Sequence, residues 1–507
     1  MTTATRDRSA VGFRSERGPV LIALMMAVSL VALDTTIIAT AVPSVVQDLG
    51  SFSRFPWVFS AYLLAAAVSV PVYGKLADTV GRKPVMLFGI GLFVFGSLLC
   101  GIAWSLPALI AFRAVQGLGA GAVQPIAMTM VGDLYSLRER ARVQGYLASV
   151  WGVASVVGPA LGGVFSQYSS WRWIFFVNLP IGAVAATMIV RRFTETVQRG
   201  RHPIDYAGAG LLSAGCTLVI LALLEGGQAW AWTSAPGLLV PLTGLGVLVA
   251  FGFVERRAVD PVLPRFVFTR RVLAGGALVG LGVGALVIGL SSYVPTYVQG
   301  VLGRGPLVAG FALAALTIGW PLAAALSGRV YLRIGFRDTA LIGSAVLVLG
   351  TSLTLWFDEG TSVWQVAAAC FVIGVGMGLT ASPTLVAVQS AVRWQQRGVV
   401  TATSMFSRSI GSAVGVAIFG ALANATLADR LARAPVAVRV PDGPDAAALV
   451  LDRGGGHSAA VLSLVRSALS DASHLVFVGL LLTAVLIAGA LLLMPRRPTA
   501  LDDLGVP

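Results

Sequence analysis

The feature that most constrains this chain is a succession of long apolar runs separated by short polar turns. A helix crossing a hydrocarbon layer of about 30 Å needs about 20 mostly apolar residues. Runs of that kind lie at 19–42, 57–74, 85–104, 106–130, 143–166, 172–190, 204–225, 236–254, 273–298, 307–328, 338–357, 362–386, 399–423 and 474–494. Fourteen spans predict an all-α integral membrane protein. Only 11% of the 507 residues are charged, against about 25% in soluble domains, so a soluble globule is excluded. The first run exceeds a signal-peptide core of about 7 to 15 residues and reads as a retained span.

Net charge is +14, which raises the possibility of a nucleic-acid partner. The pattern argues against it: 34 of the 36 basic residues are arginines scattered through short loops, with no basic patch interleaved with aromatics. Twenty-six fall before the first run or in alternate connections and eight in the others, while Arg113 and Arg408 lie inside runs. By the positive-inside rule both termini are expected in the cytoplasm. Cys100, Cys216 and Cys370 sit far apart inside apolar runs, without metal-ligand spacing, and read as core thiols.

Between the second and third runs lies Gly74-Lys75-Leu76-Ala77-Asp78-Thr79-Val80-Gly81-Arg82-Lys83. Its two glycines permit tight turns, and Asp78 either pairs locally or reaches for a helix N-terminus, where the dipole favours an anion. A degenerate copy, Gly328 to Arg337, follows the tenth run with the same glycine spacing and Leu332 in place of Asp78. The repeat suggests two six-helix halves with two inserted helices. The expected parts are a leader (1–18), a first bundle (19–190), the inserted pair (204–254), a second bundle (273–494) and a tail (495–507). The second bundle would include an outer loop, 424–473, whose stretch Ser458 to Leu469 is amphipathic. That stretch would lie on the membrane, cap the vestibule or serve as a linker.

Charges inside hydrocarbon are costly and usually functional. Asp34 in the first run and Arg113 in the fourth fall at matching depth, about 8 to 10 Å below the outer face. They are expected to pair, either as a proton-coupling switch or as a permanent structural ion pair. Arg408 lies near the midplane of the thirteenth run, facing the cavity as an anion partner or serving as a structural cation.

The loop at 74–83 resembles the G-x-L-a-D-r-x-G-r-k motif of the major facilitator superfamily, with only Thr79 departing. Residues 109–121, from Leu109 through Arg113, Gln116 and Gly117 to Gly121, resemble that family's R-x-x-q-G-x-g-a-g motif. Gly152 to Gly163, with Gly158, Pro159, Gly162 and Gly163, matches the G-P-x-x-G-G pattern of its exporters, and Trp171 to Gly182 resembles a segment of its fourteen-helix drug:proton antiporters. The resemblance implies two six-helix bundles plus two inserted helices, and proton transfer at Arg113. It also implies a conformational latch built from Gly74, Asp78, Gly81, Arg82, Asp133 and Arg397. Asp133 would meet Arg82 or remain a solvated loop charge, and Arg397 with the start of its helix would receive Asp78.

Gln124, Trp151, Tyr293, Tyr297, Trp320, Gln389 and Arg408 are the candidate cavity lining, although each of the aromatic and amide residues alone also suits packing or an interfacial belt. The expected function is proton-coupled export of hydrophobic or amphipathic molecules across the cell membrane, with a lipid or natural-product exporter as the alternative. Expected partners are the substrate, protons and the bilayer, for a monomer needing no cofactor or metal. A membrane enzyme is disfavoured because His202, His457 and His474 lie in loops or at a span edge, and a channel because neither half shows a ring of like charges.

Overall fold

The computed structural model describes residues 12–13, 15–49, 56–195, 205–226, 230–231, 233–258, 261, 263, 265–433 and 459–496. Long helices dominate: α1 (Gly18–Leu49), α2 (Pro56–Val80), α3 (Arg82–Gly101), α4 (Leu106–Leu134), α5 (Leu137–Tyr168) and α6 (Asn178–Arg192). Then come α7 (Tyr206–Glu225), α8 (Ala235–Glu255), α9 (Arg271–Thr296), α10 (Pro306–Ile334), α11 (Phe336–Leu353), α12 (Val363–Ser390), α13 (Arg397–Ala432) and α14 (Ala459–Leu492). Helix starts follow local chemistry. At α12 the Ser362 hydroxyl accepts from Gln365 N (3.3 Å) while Gln365 Oε1 accepts from Ser362 N (2.8 Å), a reciprocal cap.

Among the described residues, twelve helices are long and apolar enough to cross a membrane. The fourteen expected from sequence are therefore met by twelve. Helix α5 opens with Arg138, Glu139, Arg140 and Arg142 and is rich in Gly and Ser, and the apolar part of α7 spans only Ala207–Leu223. Large apolar side chains such as Phe88, Leu239, Leu242, Phe253 and Leu486 stand exposed on the outside, where lipid covers them. The protein is a multi-pass membrane protein.

The packing repeats. In the first set α1 packs on α5 and α6, and α4 on α2 and α3. Eight helices later α9 packs on α13 and α14, and α12 on α10 and α11. The sets meet through α5 against α10 and α2 against α13, a pair of contacts that exchange under the same correspondence. The turns match in backbone detail as well. Gly81, between α2 and α3, has φ +115° and ψ 158°, and Gly335, between α10 and α11, has φ +92° and ψ 164°. Both values lie where a Cβ is strained, which is why glycine recurs at that spacing.

Two expectations are corrected. The outer loop placed at 424–473 is shorter, because α13 continues to Ala432 and α14 already begins at Ala459. From Ala459 onward the amphipathic stretch is the start of α14 rather than a separate segment, and Ser458 lies outside the described residues. Leu469 is buried in the second set's core, Val465 is buried as well, and no helix breaker separates them from the apolar run. Arg430 Nε to Asp471 Oδ2 (2.9 Å) ties α13 to α14 there. The Pro/Asp-rich part of that loop and the Gly455-Gly456 break lie outside the described residues.

Candidate functional site

Two polar clusters lie in this apolar scaffold. The first is centred on Asp34, about 24 Å along α1 from Gly18, opposite Arg113, about 10 Å into α4. Arg113 Nη1 donates to Asp34 Oδ2 at 2.5 Å, with both side chains about 1% exposed. Gln116 Nε2 (2.8 Å) and Asn178 Nδ2 (3.3 Å) donate to the other carboxylate oxygen, and both amides also donate to Ser97 Oγ. The rest of the guanidinium is satisfied by Gln116 Oε1 (2.7 Å), Val58 O (3.2 Å) and the Tyr62 ring 4.1 Å away.

An ion pair desolvated this completely persists only because its remaining donors and acceptors are satisfied. The sequence indicated Asp34 and Arg113; Gln116, Asn178 and Ser97 were not singled out as their partners. Gln116 was signalled by standing one turn from Arg113 on the same face.

The glycine-rich segment of α5 adjoins this cluster. A Cβ on Gly158 would collide with Thr36 Oγ1, whose hydroxyl donates to Ala154 O (2.9 Å), so Gly158 lets α5 pack on α1 two residues from Asp34. Gly152 faces Thr317 O of α10, Gly162 is buried, and Gly163 meets nothing within 4 Å. The Pro159 side chain lies outside the described residues. Gly158→Val is expected to lower the thermal midpoint, with an overpacking cost of about 1–3 kcal/mol. An unchanged midpoint in fluorescence-detected size exclusion would show that the close approach is unimportant.

Beyond this cluster, at the helix ends on the Arg113 side, Asp48 Oδ2 accepts from Arg172 Nη1 (2.6 Å) and Trp171 Nε1 (3.0 Å). The Arg172 bond, then the indole bond, hold this carboxyl below its ordinary value. That contribution is present at neutral pH and disappears as acidification passes the lowered value.

The second cluster lies at the opposite ends of the helices, around the 74–83 turn. Asp78 Oδ1 accepts from Arg82 Nη2 (2.7 Å) and Gly398 N (2.9 Å), and Oδ2 accepts from Val399 N (2.8 Å). Asp78 thus caps the N-terminus of α13, where free amides and the dipole favour an anion. Glycines allow the approach: a Cβ on Gly74 would collide with Ala402 Cβ, and one on Gly398 would lie 2.5 Å from Gly74 O.

The expected Asp78 to Arg397 contact is corrected. Arg397 Nη1 instead reaches Asp133 Oδ1 (3.1 Å) and Gly132 O (2.9 Å), because the Asp78 oxygens are already occupied by the helix amides and Arg82. Asp133 also accepts from Arg82 Nε (3.1 Å). Arg82 is about 1% exposed; it donates to Ala77 O and Trp394 O and stacks 3.9 Å from the Trp394 ring.

Sequence reasoning missed Glu195. Its carboxylate accepts from Arg82 N (2.5 Å) and Lys83 N (3.0 Å), capping α3 behind Gly81. Glu195→Gln is expected to cost about 1 kcal/mol, as lost caps do. A thermal midpoint equal to wild type would refute that role.

The described hydrogen bonds between the two helix sets all lie toward this turn face. They include Tyr331 Oη to Leu137 O, Arg140 Nη1 to Ser390 Oγ (3.4 Å), Ser382 Oγ to Gln144 Oε1 (2.5 Å) and Gln389 Nε2 to Met128 O (3.1 Å). The sets are therefore closed on one another at the turn face.

Residues 24–416 match the Major Facilitator Superfamily model. The chain belongs to the major facilitator superfamily. It is 32% identical to Multidrug resistance protein 3 of Bacillus subtilis (strain 168), over 98% of this chain and 97% of that one. It is 35% identical to Multidrug transporter protein MdtP of the same organism, over 82% and 77% of the two chains. Identity to Efflux pump dotC of Dothistroma septosporum (strain NZE10 / CBS 128990) is also 35%, over 78% and 70%. The crystal structure of the human organic anion transporter MFSD10 (TETRAN) superposes with a TM-score of 0.60 over 92% of this chain and 99% of that one. At 15% identity, that likeness concerns the fold alone.

Within this transporter the residues expected to line a cavity separate. Gln124, Trp151, Tyr293, Trp320 and Arg408 are partly buried. Tyr297 is placed differently: it is about 1% exposed, packed against Phe357 and Phe477, and its hydroxyl donates to Asp358 O. Gln389 is fully buried in the turn-face contact, donating to Thr401 Oγ1 (3.0 Å) as well as to α4. A small polar handle on a mainly aromatic or amide side chain drew both into the same class in sequence, and packing assigns these two to structure.

Proposed function

We propose that this transporter is a fourteen-span drug:proton antiporter that exports hydrophobic or amphipathic molecules by alternating access, with α5 and α7 spanning the membrane beside the other twelve. The reading places the turn face and both termini in the cytoplasm of a cell whose cytoplasmic membrane holds the protein. The observation that carries it is the buried Asp34–Arg113 pair, a carboxylate deep in a spanning helix held by an ion pair that joins α1 to α4. The multidrug and efflux relatives support the substrate class.

In the proposed cycle, Asp34 takes a proton from outside and its hold on Arg113 weakens. The turn-face contacts around Asp78 then part, and the two sets rock to face the cytoplasm. Substrate entering from inside favours proton release and the return.

The test is ethidium accumulation in inverted membrane vesicles with an acidified lumen. The expected result is accumulation that collapses when nigericin dissipates the pH gradient. Accumulation indifferent to the gradient would refute proton coupling.

A further inference from the structure

Arg408 lies about 16 Å into α13 from Arg397, deep within a spanning helix. Arg113, the other cation at such depth named above, has a carboxylate, an amide oxygen, a carbonyl and an aromatic face around it. The Arg408 guanidinium has no ion pair, hydrogen bond or ring contact among the described residues. A guanidinium without a partner at this depth is among the costliest groups a membrane helix can carry, and such residues point to ligands or counter-charges.

Its position shows where a partner would come from. Thr401, about two turns earlier on the same face of α13, accepts from Gln389 of α12, which bridges to Met128 O of α4. That face therefore looks onto the seam between the two helix sets. Ala402 and Phe406, on another face, pack against Ala67, Val68 and Leu212 of α2 and α7. Arg408 lies about 10 Å further along the seam than Thr401, past the turn-face contacts, and it remains partly exposed there.

The backbone beneath it is fixed. A Cβ on Gly284 of α9 would collide with Arg408 O, and Ser412 Oγ donates both to Gly284 O (3.1 Å) and to Arg408 O (3.2 Å). Among the described residues no carboxylate pairs with it; Asp34 is committed to Arg113 and Asp78 to the α13 terminus.

We infer that Arg408 is a binding residue for the anionic group, a carboxylate, sulfonate or phosphate, of an amphiphile that enters between the two sets. The inference rests on the export reading and extends its substrate class: organic anions bind through charge-assisted hydrogen bonds to the guanidinium, a contact that cations do not make. It has the economy of a site whose counter-ion is the cargo.

Two xanthene dyes of opposite charge test it, fluorescein as anion and rhodamine 6G as cation. Their fluorescence anisotropy is titrated with the full-length protein in lipid nanodiscs, with empty nanodiscs subtracted. Fluorescein is expected to bind wild type, to lose about ten- to a hundredfold in affinity with R408Q, and to stay within about threefold with R408K, since removing one charged partner has effects of that order. Rhodamine 6G affinity should be unchanged or rise in R408Q.

The idea is overturned if wild type binds no fluorescein, if R408Q binds it as tightly as wild type, or if both dyes weaken in parallel. A parallel loss would mark Arg408 as a packing residue. R408K, which keeps the charge, separates loss of the site from loss of the fold. Failure of the export reading would show elsewhere, as dye transport indifferent to the pH gradient, and the binding preference is read independently of it.

Discussion

Asp34→Asn is expected to abolish gradient-driven ethidium accumulation in inverted vesicles, leaving only the uptake that remains without a gradient. The asparagine side chain keeps the shape of the site, but its single oxygen accepts from Arg113 or from Gln116 and not from both, and it has no proton to exchange. The same change leaves the Arg113 charge buried without its anion. Breaking one side of such a pair costs about 3–5 kcal/mol, so a lowered thermal midpoint should accompany the loss of transport. Arg113→Gln should show the same two effects.

The double variant Asp34→Asn with Arg113→Gln separates them. With both charges removed, the midpoint should recover most of its loss, because a neutral pair of similar volume avoids the desolvation cost. Transport should stay absent. If the double variant regains gradient-driven accumulation, or Asp34→Asn transports near the wild-type rate, the pair is structural only and the coupling site lies elsewhere.

The second large effect is expected at Asp78. Asp78→Asn removes the charge that holds Gly398 N and Val399 N across the junction of the two sets and Arg82 within its own set. Hydrogen bonds to a charged group contribute about 1.5–3 kcal/mol, and the helix terminus strengthens them. A loss of about 2–3 kcal/mol confined to the turn-closed arrangement shifts its equilibrium by about 30- to 160-fold.

The measurement is labelling of Ser382→Cys by a membrane-impermeant maleimide applied from the turn face. Ser382 is about 5% exposed and bonded across the seam to Gln144, so it is shielded while the turn face is closed. Labelling should accelerate strongly when Asp78→Asn is added. Arg397→Gln, which removes only the contacts to Asp133 and Gly132 O, should accelerate it less. Equal labelling rates with and without Asp78→Asn would show that Asp78 is not the latch.

Much of this was legible in the residues themselves. Run lengths and the sparse charge dictated membrane helices, because backbone amides in lipid must be satisfied along the chain. Asp34 and Arg113 stood out because ionised groups are so costly there that each demands a partner. The glycine spacing shared by 74–81 and 328–335 announced a repeat, and the strained φ of Gly81 and Gly335 supplies the reason.

Other features depended on which surfaces meet. That Asp78 caps α13 while Arg397 turns to Asp133 follows from competition for two carboxylate oxygens, which no linear spacing encodes. Glu195 reads as a solvated loop charge until the chain folds it behind Gly81 against the start of α3. Tyr297 and Gln389 look like cavity groups in sequence, and only packing places one in an aromatic core and the other in the seam. For Arg408, sequence determined a costly buried charge. The tertiary structure decided that no acid pairs with it among the described residues: hydrogen bonding is short-ranged, and Asp34 and Asp78 are committed to other partners.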